Sequence, residues 1–377
     1  MLNDVTPRGL LSLLLIASPA AAVKLWATSY NDHALYTLNL AYEGLTVTSK
    51  SLDCGSEPTW ITLDKGSRPF NDDATLETLD ILPVLKSPGQ RRAIWAEQQW
   101  LGRRSLRYVD LQLLRRQEHV EPGPVPERDL HHGRPGPVPD RQDVPHLHHT
   151  ILDPTKKFIV VPDLGADLLR VYALQQGSIE WTEIDPVKAV PGSGPRHGVF
   201  ATAGPKTFFY ILNELSNTIS GYRVTYKRGA LKMTRLFDFS SHGPGGSVPA
   251  GTKAAELKIS PDQRFVIASL RGENSLMMPN LDPRNSTAMP SDPLISFRID
   301  RSTGALAHVQ TAAAGGRNPR GFNINKAGTL VASALQDDNR VVVYERDVSS
   351  GELMGVAGWA TVGEGEGNGP NYALFDE

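Results

Sequence analysis

The sequence offers little that would fasten a fold covalently. Cys54 is its only cysteine, so no intrachain disulfide can form and no Cys–His nucleophile stands out. A chain of 377 residues can bury a core large enough to manage without one. Charge of one sign is also missing: 39 Lys and Arg face 41 Asp and Glu, a net charge of −2. That balance leaves no basic footprint for nucleic acid and no polybasic lipid anchor. Long apolar runs are absent, and the run Leu10–Ile16 is far too short to span a bilayer. No Gly-rich phosphate loop appears. Ser216 and Ser269 lie near polar turns but outside any G-x-S-x-G context, so nothing supports covalent catalysis. What the chain has in quantity is turn formers, 34 Gly and 28 Pro, which favour many short elements over long helices.

At the N-terminus, Arg8 precedes Leu10–Ile16, and small residues follow at Ala20 and Ala22. This order matches a secretory signal peptide over residues 1–22, with the mature chain starting at the strand-like VKLWATSY. The sequon Asn285-Ser286-Thr287 is usable only on that route, so the expected location is extracellular.

Beyond residue 145 a unit recurs. Apolar segments FIVVPD, FFYILN, FVIASL and LVASAL each follow a short turn, of D-P, S-P-D or K-A-G type in three of the four. A polar turn then leads to an alternating segment, LLRVYAL, ISGYRV, LISFRI or VVVYERD, and to an edge segment marked G-x-L. The aromatics Tyr172, Tyr222, Phe297 and Tyr344 fall at matching places, 50, 75 and 47 residues apart, the long gap holding an insertion around Met277–Asp292. Four short strands per unit of about 45–50 residues predicts β-propeller blades. Weaker traces lie at PTWITLDKGSRPF and ALYTLNLAYEGLTVTSK. Ser87–Arg141 does not fit: it carries ten Arg and no Lys, and it doubles PGPVPERD as PGPVPDRQD. A shifted reading frame or a natural basic loop would each account for it, so the N-terminal blades are expected to be incomplete, with 87–136 atypical.

The segments PGPVPDRQDVPHLHHTILDPTKKFIVVPDLGADLLRVY, GPRHGVF, YILNELSNTISGYRV, ELKISPDQRFVIASLRGENS and GRNPRGFNINKAGTLVASALQDDNRVVVYERD resemble the seven-bladed propeller lactonase family. Its members include the fungal 3-carboxy-cis,cis-muconate lactonising enzyme and the bacterial 6-phosphogluconolactonase. The resemblance covers Gly136–Asp347 well and Val23–Phe70 weakly. It implies an all-β, seven-bladed propeller over residues 23–377, with no metal and no cofactor.

Equivalent positions in successive blades converge on the central channel, so residues distant in sequence become neighbours. On that logic His148, Arg196, Glu214 and Arg271 form one ring, each at a position the family uses. Arginine offers a planar donor fork for carboxylate, although Arg196 could equally join two blades as an ion pair. Glu214 is either an acid–base group or the holder of that arginine. Imidazole at His148 suits acid–base work at neutral pH. In an extended strand His146 and His148 would share one side, with Asp143 and His149 on the other. The pair could chelate zinc or bridge blade backbones instead. His146, Arg320 and Gln336 are expected to bind substrate.

The expected function is lactone formation or opening on a small carboxylate, as in the muconate cyclase, with 6-phosphogluconolactonase-like hydrolysis as the alternative. Neither a nucleic-acid nor a membrane partner is expected. A third reading is a secreted propeller that binds glycan or protein without catalysis.

Overall fold

The computed structural model describes residues 22–52, 136–174, 181–227, 229–365, 367 and 369–377. Residues 1–21, nearly all of the expected signal peptide, the arginine-rich stretch as far as residue 135 and the trace PTWITLDKGSRPF lie outside the described residues.

Strands β1 (Val23–Ser29), β2 (Ala34–Ala41) and β3 (Gly44–Ser51) form an antiparallel meander. The next sheet is β4 (Ile151–Leu152), β5 (Phe158–Asp163), β6 (Leu168–Leu174) and β7 (Trp181–Lys188). It is followed by β8 (Pro195–Ala203), β9 (Lys206–Asn213), β10 (Thr218–Lys227) and β11 (Ala230–Ser240). A further sheet begins with β12 (Lys253–Ile259) and β13 (Phe265–Arg271) and is interrupted by a hairpin, β14 (Leu276–Met278) and β15 (Met289–Ser291). It resumes with β16 (Pro293–Ile299) and β17 (Leu306–Ala313). The last meander is β18 (Pro319–Ile324), β19 (Leu330–Leu335), β20 (Arg340–Arg346) and β21 (Leu353–Thr361). Finally β22 (Pro370–Phe375) returns to pair with β1, so the two ends of the chain share a blade. The N-terminal strands, expected in an incomplete blade, thus belong to a full four-stranded one.

Five four-stranded blades are therefore seen among the described residues, and no helix there is long and apolar enough to cross a membrane. Second strands are covered on both faces, which is why they read as continuous apolar runs: β5 is buried along its whole length. Outer strands such as β11 keep exposed residues. The core lies between blades, as where Phe158, Val160 and Val171 pack against Phe209, Ile211 and Tyr222. The repeated aromatics Tyr172, Tyr222, Phe297 and Tyr344 are all buried, on third strands.

The recurring turns share one mechanism. Asp153, Ser260 and Asn325 each accept, through a side-chain oxygen, the backbone N–H that opens the second strand, at 2.7 Å from Phe158, 3.0 Å from Phe265 and 2.8 Å from Leu330. Three residues further on, Lys156, Gln263 and Gly328 take positive φ, completing the turn. The G-x-L signal has a separate cause. At Gly304 (φ +82°) an added Cβ would lie 2.4 Å from the Phe208 ring of the preceding blade, and Gly351 (φ +88°) meets Phe265 in the same way. Glycine is needed there for both backbone and space.

Candidate functional site

Three inner strands, β8, β12 and β18, carry an irregularity where they enter the channel. The β8–β9 register slips between Pro195 and His197, leaving Arg196 as the extra residue. The β18–β19 register slips in the same way around Arg320, and the β12–β13 register around Ala255 and Glu256. A bulge of this kind re-aims a side chain that regular pleating would commit to the ladder. Polar and charged residues at the blade entrances thereby reach the axis.

Glu214, at the end of β9, is the centre of the site. Its Oε2 lies 2.8 Å from Arg196 Nε and 3.1 Å from Arg271 Nη2, while Oε1 accepts from Arg141 Nη2 at 2.7 Å. Burial pushes its carboxyl up, but Arg271, Arg196, His148 and Arg141 outweigh that and hold it below the ordinary carboxylate range. Glu214 is therefore ionised and engaged on both oxygens. Of its two readings, the geometry favours holding arginines over shuttling protons. Arg196 also donates through Nη1 to the Ala255 carbonyl of the neighbouring blade. Burial and the adjacent arginines push Arg271 down from its ordinary value, and its buried Nε finds no acceptor among the described residues. A guanidinium stays charged at neutral pH all the same. Arg320 adds its field to Arg196, Arg271 and His148 and lies over the Tyr30 ring, 5.3 Å from its centroid.

His148 stands beside this cluster. Burial, together with the field of Arg196, holds its pKa well below 6.5, so the imidazole is neutral at physiological pH and able to accept a proton. The expected alternation of the histidines does not hold. His146 pairs through Nε2 with Asp143 at 3.1 Å, whereas His148 and His149 both approach His197, with ring centroids 6.4 and 4.8 Å away. The reason is local. Residues 143–150 are irregular, tied to β5 only by the Leu147–Asp163 bridge, and Asp163 takes the His146 amide at 2.8 Å. His146 thus pairs with Asp143 within its own loop. Among the described residues no three His, Cys, Asp or Glu converge to hold a metal ion. Gln336 is buried at the strand end equivalent to Glu214, with its backbone N–H donating to Asn318 O and its backbone carbonyl accepting from Gly369 N.

A second buried pair lies in the same channel. His197 Nδ1 is 2.9 Å from Glu256 Oε1, which also accepts from Leu257 N and has Lys258 Nζ at 3.6 Å. Burial keeps His197 and His149 neutral as well. Arg141, Tyr30, His197 and Glu256 were not singled out from sequence. The first hid in an arginine-rich run, and His197 stood in plain view beside Arg196.

A family model described as "Lactonase, 7-bladed beta-propeller" matches residues 111–366. An Arthroderma benhamiae protein named "Probable 6-phosphogluconolactonase" is 34% identical over 214 residues, 56% of this chain and 50% of that protein. The 6-phosphogluconolactonase of Formosa agariphila is 30% identical over 216 residues, 56% of this chain and 54% of that protein. The chain thus spans about half the length of the curated relatives it matches. Among solved structures, the Pseudomonas aeruginosa periplasmic gluconolactonase PpgL superposes with a TM-score of 0.65 at 20% identity, covering 94% of this chain and 99% of that one, a likeness of fold.

Proposed function

This chain belongs to the lactonase family of seven-bladed β-propellers, and from that premise we propose that it hydrolyses a small anionic lactone. The observation that carries the reading is the gathering of Arg141, Arg196 and Arg271 on one buried carboxylate, Glu214. With Arg320 close by and His148 neutral, the cup keeps a surplus of positive charge that Glu214, even with Glu256 acting on Arg196, does not cancel. The unmet Nε of Arg271 is a donor suited to an anionic oxygen.

In this mechanism His148 takes a proton from water as the water oxygen attacks the lactone carbonyl. Charge develops on the carbonyl oxygen beside Arg196 and Arg271, the acyl–oxygen bond breaks, and the released ring oxygen takes up the proton. Glu214 keeps the arginines in place throughout. Lactone formation from a carboxymuconate draws on the same groups, a carboxylate adding across a double bond while an acid protonates carbon. The names of the relatives favour hydrolysis.

The test is turnover of 6-phosphogluconolactone, gluconolactone and carboxy-cis,cis-muconate by the purified chain. Arg196→Ala and Arg271→Ala are each expected to lower kcat/KM about 100-fold or more. Unchanged turnover in both variants sinks the assigned roles. Cyclisation of muconate without lactone hydrolysis moves the reading to an isomerase, and no turnover at all moves it to a binding propeller. Action along the secretory route is part of the proposal and is supported by the sequon, since Asn285 is exposed at the tip of the β14–β15 hairpin. Expression in a glycosylating host should give an endoglycosidase-sensitive mass at Asn285.

A further inference from the structure

Each blade from β4 onward leaves its second strand through a turn with one non-glycine residue of positive φ: Asp167, Asn217, Asn274 and Asn339, at +53°, +51°, +50° and +47°. In three of these turns the side chain reaches the segment that leads into the next blade, Asn339 by donating to Gly365 O ahead of β22. Asp167 takes the amides of Gly192 and Gly194 at 2.6 and 2.8 Å, two residues ahead of Arg196. Asn217 takes the amide of Ala254 at 2.7 Å and donates to Thr252 O. In the blade built on β12 the hairpin β14–β15 is inserted after Asn274, and a different residue stands at the crossing.

That residue is Asp292, fully buried at the base of the hairpin. Its Oδ1 accepts from Glu273 N at 2.7 Å and Asn274 N at 2.6 Å, and its Oδ2 from Gly272 N at 3.0 Å and Asn318 N at 2.7 Å. Three of these amides follow Arg271 directly, and the fourth lies two residues before Arg320. The backbone closes the same junction: Asp292 N donates to Gly316 O, and Ser291 Oγ bridges Gly316 N and O.

We propose that Asp292 is a positioning residue for the anion cup, fixing the distance between Arg271 of one blade and Arg320 of the next. The assignment rests on the lactonase reading of that cup. A carboxylate has only acceptors, and here four backbone donors converge on it from two loops that bear arginines. Asparagine at this position would turn a donor toward at least one of those amides, letting the loops part.

The test compares Asp292→Asn with the milder Ser291→Ala, which loosens the same junction and leaves the carboxylate in place. On an anionic lactone, D292N is expected to raise KM about 10- to 100-fold with a smaller fall in kcat. S291A should shift KM the same way by a few-fold. Combined with Arg271→Lys, D292N should cost less than the sum of the single effects, and combined with Arg196→Lys the full sum. A KM unchanged in both variants overturns the proposal, as does strict additivity with R271K. Wild-type protein inactive on every lactone would sink the functional reading alone. Crystal structures of the variants would then decide, and an Arg271–Arg320 spacing equal to wild type would overturn the positioning role.

Discussion

Two glutamates lie buried in one channel, and their company differs. Glu214 is surrounded by Arg141, Arg196 and Arg271, whereas Glu256 meets a neutral His197 and a single Lys258. Burial is equal in both, so burial alone does not explain why one region reads as a binding cup and the other as a packed pair. The difference lies in charge balance. At Glu256 one negative charge answers one positive charge; at Glu214 three cations share one anion, and an incoming anion relieves their mutual repulsion. A surplus of this kind favours an incoming anion, in keeping with the proposed anionic substrate.

The largest way to break the contrast is Glu214→Ala. It leaves buried arginines without a partner and should lower stability by about 3–5 kcal/mol, read as a fall in Tm. Glu256→Gln keeps the shape and a hydrogen-bond acceptor, and should cost about 1–3 kcal/mol. If E256Q proves the more damaging, the comparison fails.

pH sharpens it next. The folded-state pKa of Glu214 is depressed, so its contribution is fully present above the unfolded carboxyl value and is lost only as pH falls through the lower folded value. The stability gap between wild type and Glu214→Gln should therefore persist from pH 7 to below 4.5 and close only in stronger acid. His148, His149 and His197 have the opposite consequence near neutrality: below pH 6.5 the unfolded chain gains protons that the folded chain refuses, so stability declines as pH falls. Replacing His197 by Gln should flatten that decline in denaturant titrations. With His148 already neutral, kcat/KM should hold level from pH 8 to below 6.5.

The smallest expected effect is at Arg141, whose side chain is 36% exposed. Solvent screens its pairing with Glu214, so Arg141→Ala should cost at most about 1 kcal/mol in stability. It should raise KM for an anionic lactone several-fold, because the cup loses one cation. A KM unaffected by R141A would place this arginine outside the binding surface.

Much of the blade pattern was legible because it is local. FIVVPD, FFYILN, FVIASL and LVASAL became β5, β9, β13 and β19, since a strand covered on both faces must be apolar throughout. The insertion around Met277–Asp292 proved to be a hairpin ending at Ser291, and its base holds the carboxylate that crosses to the next blade. Arg196, Glu214 and Arg271 were legible by equivalence between repeats, and they do meet. The alternation expected of His146, His148 and His149 failed because it applies to regular strands, and residues 143–150 are not one. Arg141 was missed because a run rich in arginine shows nothing in composition to mark one of them.

The sequence by itself determined the blades, their turns and the strand ends at which polar groups gather, because each depends on neighbours a few residues apart. Only the tertiary structure decided which of those ends touch, that β22 closes onto β1 across the whole chain, and that bulges at Arg196 and Arg320 turn guanidinium groups toward the axis. Those outcomes depend on contacts between blades, where register and loop length set distances that no single repeat encodes.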